Sequence, residues 1–171
     1  YATGGYICTS PFPYGGIFRR AVINFKFHNC GAYAELLSHE MVRSIKDVYR
    51  DREFDLVTCV PMHKDTLRKR GYNQAELLAK ECARILGIEY ADLLVKTKKN
   101  KTQHSINAAE RAKNVIGVYS PIDKNLIKGK RILIIDDIIT TGSTLGECAR
   151  ILNKCKCGEI CCCTLCTSLL I

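Results

Sequence analysis

The chain contains no tryptophan and only 5 phenylalanines among its 171 residues. That scarcity argues against the aromatic-rich platform on which single-stranded nucleic acids stack their bases. No stretch is long and apolar enough to span a membrane, so membrane insertion is not expected, and nothing resembles a signal peptide. Internal repeats and low-complexity linkers are missing as well. The length suits one good core and is short for two, so a single domain over 1–171 is expected. A G-x-x-x-x-G-K-[ST] loop is absent, which removes the P-loop nucleotide hydrolases from consideration. The paired CxxC-like knuckles of a structural zinc site are also absent.

Cysteine itself is plentiful, with 11 in the chain. An odd count without a secretory signal argues for a reducing compartment and a cytoplasmic location rather than a disulfide framework. Cys155, Cys157 and the run Cys161-Cys162-Cys163 with Cys166 invite a zinc reading. Ile160 to Leu165, however, reads as a buried strand in which cysteine serves as a small hydrophobe. These cysteines are expected in the core.

Charge is unbalanced: 26 basic against 17 acidic residues give a formal +9. The excess is clustered at Lys96 to Lys101, at Arg68-Lys69-Arg70 and at Lys128 to Arg131. Phosphorylated ligands or nucleic acid suit such clusters, and a solvated basic face explains them equally well.

The pattern of elements alternates. Residues 15–27 and 33–49 read as helices; in the second, Leu37, Met41, Ile45 and Val48 make one apolar stripe. Phe54 to Val60 is a short strand stopped by Pro61. Asn73 with Glu76 opens a helix that Gly87 ends. Leu93 to Val95 is a brief strand followed by a long basic loop. Asn107 with Glu110 marks a short helix, and Val115 to Tyr119 another strand. A strand over 131–136 leads to a helix that Thr144 and Glu147 would cap, and Glu159 to Thr167 would close the sheet. Alternating strands and helices imply a parallel α/β sheet with helices on both faces. A helical flap over 1–50 would precede a core over 51–171.

The most informative stretch is ILIIDDIITTGST, residues 132–144. Four apolar residues without alternation read as a strand buried on both faces, as in parallel sheets. Ligands of such sheets sit outside the carboxyl ends of the strands, where Asp136 and Asp137 would emerge. Thr140, Thr141, Gly142, Ser143 and Thr144 can curl so that backbone N–H groups and hydroxyls face one centre at a helix start, an anion cradle. An ATPase strand lacks its P-loop here, and an aspartyl-phosphate receiver has no need of the cradle. A buried strand capped by an acid is the blander alternative. A sugar phosphate uses both halves: hydroxyls for the carboxylates and a phosphate for the loop.

This string resembles the phosphoribosyl-pyrophosphate motif of the type I phosphoribosyltransferases. VPMHKDTLRKRGYNQAELLAK, Val60 to Lys80, further resembles the signature of the competence protein F (ComF) family within that superfamily. Gln103, Arg111 and Asn114 keep that family's spacing in the loop before the fourth strand. The resemblance runs from about Gly15 to the C-terminus. It departs at Lys96 and Lys98, where members often carry arginine, and at Asn100, where threonine is common. Lysine keeps the charge without the bidentate fork. Many members also carry an N-terminal zinc ribbon; none is present here, and a segment upstream of Tyr1 is where it would stand.

The resemblance implies roles. Asp136 and Asp137 would hold the ribose hydroxyls and steady an oxocarbenium ion, while Thr140 to Thr144 would hold the 5′-phosphate. Pro61, Met62 and His63 would form the pyrophosphate turn, with Arg68, Arg70, Lys96 and Lys98 neutralising pyrophosphate together with Mg²⁺. The expected partners are phosphoribosyl pyrophosphate and a nucleobase-like acceptor, with single-stranded DNA and a second copy of the chain as further candidates. Catalytic transfer and largely non-catalytic binding in DNA uptake both remain open. Tyr72 suits either a stacking role or an apolar anchor. Lys26 and His28 could roof the site, whereas His39 and His104 read as ordinary histidines.

Overall fold

The computed structural model describes residues 2–3, 6–27, 31–98 and 115–169, without the side chains of 2–3, 26–27 and 31–32. In chain order the strands are β1 Ala2–Thr3, β2 Tyr6–Thr9, β3 Phe12–Pro13, β4 Leu56–Cys59, β5 Glu89–Tyr90, β6 Leu94–Lys96, β7 Tyr119–Pro121, β8 Arg131–Ile139 and β9 Glu159–Thr167. The helices are α1 Gly16–Phe27, α2 Gly31–Val48, α3 Lys64–Arg70, α4 Gln74–Leu86, α5 Lys124–Ile127 and α6 Ser143–Lys154. The main sheet runs β1-β2-β9-β8-β4-β5, with β3 also on β9. Among the described residues, the β1–β2 pair is the only antiparallel one in it. Strands β6 and β7 form a separate antiparallel ribbon.

The apolar run of β8 explains this layering. Ile132, Leu133, Ile134 and Ile135 are all fully buried because both sheet faces are covered. Ile132 and Ile134 join a cluster with Leu145, Cys148 and Leu152 of α6. Leu133 and Ile135 point the other way, to Met41 and Ile45 of α2 and Leu78 and Cys82 of α4. The cysteines of β9 divide likewise, Cys162 to the first cluster and Cys161 and Cys163 to the second. Burial pushes the thiols of Cys8, Cys59 and Cys82 up to about 12, so these groups stay protonated and act as apolar filling.

Several boundaries differ from expectation. Strand β9 does not close the sheet but lies inside it, because β2, hidden from pattern reading by its brevity, pairs in parallel with Cys161 to Cys163. The first fifty residues are therefore more than a helical flap: they contribute sheet strands, and α2 is a layer helix over β9 and α4. Val48 is 51% exposed, while Val42 and, one residue past the end of α2, Tyr49 are buried instead. The strand expected over Val115 to Tyr119 starts only at Tyr119. The helix expected at Asn107 lies outside the described residues.

Helix α4 starts and stops as its sequence indicates. The Asn73 side chain accepts from the N–H of Ala75, and Gly87 ends the helix in the left-handed region at φ 69°. Helix α6 is different: its N-cap is Gly142, with no side-chain capping bond. Glu147 does not reach back to Thr144 but accepts from the N–H of Gly117. No helix among the described residues is long and apolar enough to cross a membrane.

Candidate functional site

Strands β4 and β8 run side by side as far as Cys59 opposite Ile135, where β4 ends. The strand expected over 131–136 runs on to Ile139, with Asp136 paired to Thr164 of β9, so the two acids lie inside β8, just beyond the end of β4, and not past the end of their own strand. A cavity of about 260 Å³ opens there. Asp136, Asp137 and Thr144 form one wall and Pro61, Met62 and His63 another, and the cations Arg70 and Lys96 also line it. Eight residues nominated from sequence, spread over more than eighty positions, thus share one hollow.

The cradle loop lies next to it. Thr140 to Thr144 line a smaller hollow of about 30 Å³ that shares Asp136 and Thr144 with the cavity. Gly142 sits at φ 75° and ψ −4°, a conformation that side chains with a Cβ rarely adopt. Its carbonyl accepts from the N–H of Gly146 at 2.8 Å and from the hydroxyl of Tyr6 at 3.3 Å. The hydroxyls of Thr141 and Ser143 are 2.8 Å apart, and the N–H of Ser143 donates to Thr141 Oγ1 at 3.4 Å. Below them the carboxylate of Asp136 accepts from the N–H of Asp137 at 2.8 Å.

The opposite wall is braced from within. His63 caps α3, its Nδ1 accepting from the N–H of Asp65 at 3.2 Å, so its position in the turn has a structural cause. Asn73 is 7% exposed and donates to the carbonyl of Val60 at 3.1 Å, fixing the turn to the start of α4. Arg70 donates to Gln74 Oε1 at 2.8 Å. Lys96 Nζ stands 5.4 Å from the centre of the Tyr119 ring, and burial pulls its pKa below the ordinary 10.5.

Two nominated cations fall elsewhere. Arg68 and Lys98 are exposed and do not line the cavity. Two residues along α3 is more than half a turn, so Arg68 and Arg70 face different ways. Lys98 lies beyond β6 in the polar segment after Thr97, whose N–H is bound to the carbonyl of Val118. Tyr72 is an anchor: its hydroxyl donates to the carbonyl of Phe25, and it is not among the cavity residues. His39 is exposed, as an ordinary surface histidine would be. His28, Lys99, Asn100, Lys101, Gln103, His104, Arg111 and Asn114, and the side chain of Lys26, lie outside the described residues.

Thr66, Asn73, Gln74 and Tyr119, which no motif marks as site residues, line the cavity too. Asn73 and Gln74 stood in the quoted GYNQ string, where they looked like a helix start and nothing more. A larger cavity of about 510 Å³ lies at the amino ends of β4 and β8, between Tyr49, Phe54, Ile88 and Arg131. Of its four cations, Arg131 and Arg52 are paired with Glu53, Asp55 and Glu159, Lys46 and Arg50 line it as well, and no nominated residue reaches it.

Among the described residues, no three His, Cys, Asp or Glu side chains are grouped to hold a metal ion. Asp136 and Asp137 are the carboxylates in the cavity lining, oxygen donors of the kind a hard divalent cation such as Mg²⁺ takes.

Residues 73–169 match the family model described as a phosphoribosyl transferase domain. The chain belongs to that family. Within it, the chain sides with competence proteins, in line with the motif at Val60 to Lys80. It is 33% identical over 141 residues to competence protein F of Haemophilus influenzae, covering 80% of this chain and 62% of that one. It is 30% identical over 101 residues to the DNA utilization protein YhgH of Escherichia coli, covering 58% of this chain and 44% of that one. The chain thus spans about half the length of these relatives. Among solved structures, it superposes on a glutamine phosphoribosylpyrophosphate amidotransferase from B. subtilis with a TM-score of 0.54 at 18% identity. That overlap covers 82% of this chain and 30% of the other, and the likeness concerns the fold alone.

Proposed function

We propose that this phosphoribosyltransferase domain binds phosphoribosyl pyrophosphate and transfers its ribose 5-phosphate to a nitrogenous, nucleobase-like acceptor. The observation that supports this is the pair of joined hollows. One offers hydroxyls and a glycine-shaped backbone, the other two carboxylates and two cations in one lining, and both share Asp136 and Thr144. The 5′-phosphate would sit on Thr140 to Thr144, the ribose hydroxyls on Asp136 and Asp137, and the diphosphate between Pro61–His63, Arg70 and Lys96.

In the reaction the C1′–O bond breaks with its electron pair leaving on pyrophosphate. A nitrogen lone pair forms the new C1′–N bond, and that nitrogen then loses its proton. Positive charge grows on the ribose ring as the bond breaks, next to the two carboxylates, which stabilise it more strongly in a water-poor pocket than in bulk water. Arg70 and Lys96 offset the charge gathering on the leaving group. Mg²⁺ bound with the diphosphate would supply further neutralisation.

A second reading is supported by the relatives' names: a phosphoribosyl-pyrophosphate binder acting in DNA uptake, with little catalysis. Its DNA contacts would be electrostatic and salt-sensitive, using exposed cations such as Arg68, Lys69 and Lys98. Calorimetric titration with phosphoribosyl pyrophosphate and Mg²⁺, followed by pyrophosphate-release assays over a nucleobase panel, separates the two. Binding with release supports transfer, and binding without release supports the second reading. The variant Asp136→Asn with Asp137→Asn should stay folded and lose about a hundredfold or more in affinity, as expected when charged hydrogen bonds to a diol are removed. Unchanged affinity in that folded variant defeats both readings.

A further inference from the structure

Gln74 is the first residue of α4, lines the cavity and is 1% exposed. Its Oε1 accepts from Arg70. A guanidinium only donates, so this contact fixes which way round the amide lies: oxygen toward Arg70, nitrogen away from it. Nε2 therefore brings two N–H donors into a buried place, and among the described residues it has no hydrogen-bond partner. Buried amide donors in folded proteins nearly always have a partner. Gln74 belongs to the lining of a polar cavity, so a donor left over in that side chain points to an acceptor atom of the ligand beside it.

Resting on the reading above, we infer that Gln74 is a specificity-determining contact whose Nε2 donates to a diphosphate oxygen of the sugar ligand. An anionic oxygen is favoured over a neutral group on the acceptor base for three reasons. The Arg70 guanidinium stands directly beside the amide and makes the charge there positive. Gln74 opens a 13-residue helix, whose N-terminal end favours negative charge. The same wall carries the Pro61–His63 turn, held to Gln74's neighbour Asn73 through Val60. Glu76, the acid of that helix turn, does not line the cavity and is paired with Lys80 at 2.6 Å. The contact lets the site distinguish a ribose bearing a 1-diphosphate from one that carries only the 5-phosphate.

The test uses the full chain and three probes: phosphoribosyl pyrophosphate, inorganic pyrophosphate and ribose 5-phosphate, each titrated with Mg²⁺. Gln74→Met keeps length and removes the amide. It should weaken the two diphosphate probes about ten- to hundredfold, the range for a hydrogen bond to a charged group. Ribose 5-phosphate should bind as before, and the melting temperature of the unliganded protein should hold or rise, because the orphaned donor is gone. Gln74→Glu keeps a partner for Arg70 but sets an anion against the diphosphate, so it should lose at least as much affinity. It carries the test if the methionine variant fails to fold. Unchanged diphosphate affinity, or an equal loss for ribose 5-phosphate, overturns the role of Gln74 while leaving the ligand assignment intact. A wild-type protein that binds none of the three probes overturns that assignment and the inference together.

Discussion

Glu147 of α6 accepts the backbone N–H of Gly117 at 2.8 Å, tying the helix behind the Thr140–Thr144 loop to the segment that enters β7. Its carboxylate is also gripped by Arg150, with Nε and Nη2 each at 2.6 Å. Those hydrogen bonds, Arg150 first and Gly117 after it, hold its pKa below the ordinary 4.5 although burial opposes them. A carboxylate depressed in the folded state stabilises fully above its unfolded pKa and loses that contribution as pH falls through the folded value. Glu147→Gln should therefore cost about 1–3 kcal/mol at pH 7, the range for losing charged hydrogen bonds in a buried place. Wild type and variant should converge as pH falls below the ordinary 4.5 and on through the lower folded value, which urea melts at a series of pH values from 7 downward would show. A constant gap between them across that range would contradict the linkage.

The same residue shows where sequence reading stops. Thr144 and Glu147 have the spacing of a capping box, but spacing carries no information about an amide thirty positions away. Gly142, with its freedom at positive φ, makes the cap instead. What was legible was local: the unalternating run of β8, the two acids after it, the loop, and Asn73 as a cap. What was not legible came from pairing. Nothing in Tyr6 to Thr9 reveals that it will border β9, and four residues give too short a pattern to distinguish strand from loop. Arg68 and Arg70 look equivalent until α3 turns one of them away. Gln74 became visible as a site residue only when its burial and its missing partner could be seen together.

Lys96 should make ligand binding sensitive to alkali. Burial beside Tyr119 lowers its pKa, so its positive charge is lost at a lower pH than for an exposed lysine. An anionic ligand requires the charged form, so affinity is highest below the Lys96 pKa and falls as pH rises through it. Lys96→Arg keeps its charge at every accessible pH and should flatten that fall. Titrations with phosphoribosyl pyrophosphate from pH 7 to pH 10 would reveal the difference. Parallel curves for the two proteins would remove Lys96 from the diphosphate wall.

Gly146 is kept small by Tyr6. A Cβ on Gly146 would stand 2.7 Å from the Tyr6 hydroxyl oxygen, closer than real contacts allow. That hydroxyl also donates to the carbonyl of Gly142, so moving it disturbs the Thr140–Thr144 loop from behind. Gly146→Ala should destabilise by about 1–3 kcal/mol despite the better helix propensity of alanine, the usual cost of overpacking. Tyr6→Phe removes the clashing oxygen, so the double variant should recover much of that loss. Thermal melts of the four proteins in a double-mutant cycle measure the coupling. Additive effects would mean that the two residues do not press on each other.

Gly142 separates a shaped cradle from a merely basic surface. At φ 75° it holds a backbone geometry that a β-branched residue resists, and its carbonyl receives both Gly146 and Tyr6. Gly142→Val leaves the net charge at +9 but should lower stability by about 1–2 kcal/mol and abolish binding of ribose 5-phosphate. Arg68→Ala with Lys98→Ala does the reverse: it removes two charges from exposed positions and leaves the loop untouched. That pair should spare sugar-phosphate affinity while weakening any single-stranded DNA binding and flattening its dependence on salt. The measurement is affinity of both variants for both ligands across a salt series, with circular dichroism confirming that each is folded. If the two exposed cations control both ligands and Gly142 controls neither, Thr140 to Thr144 is not a phosphate cradle.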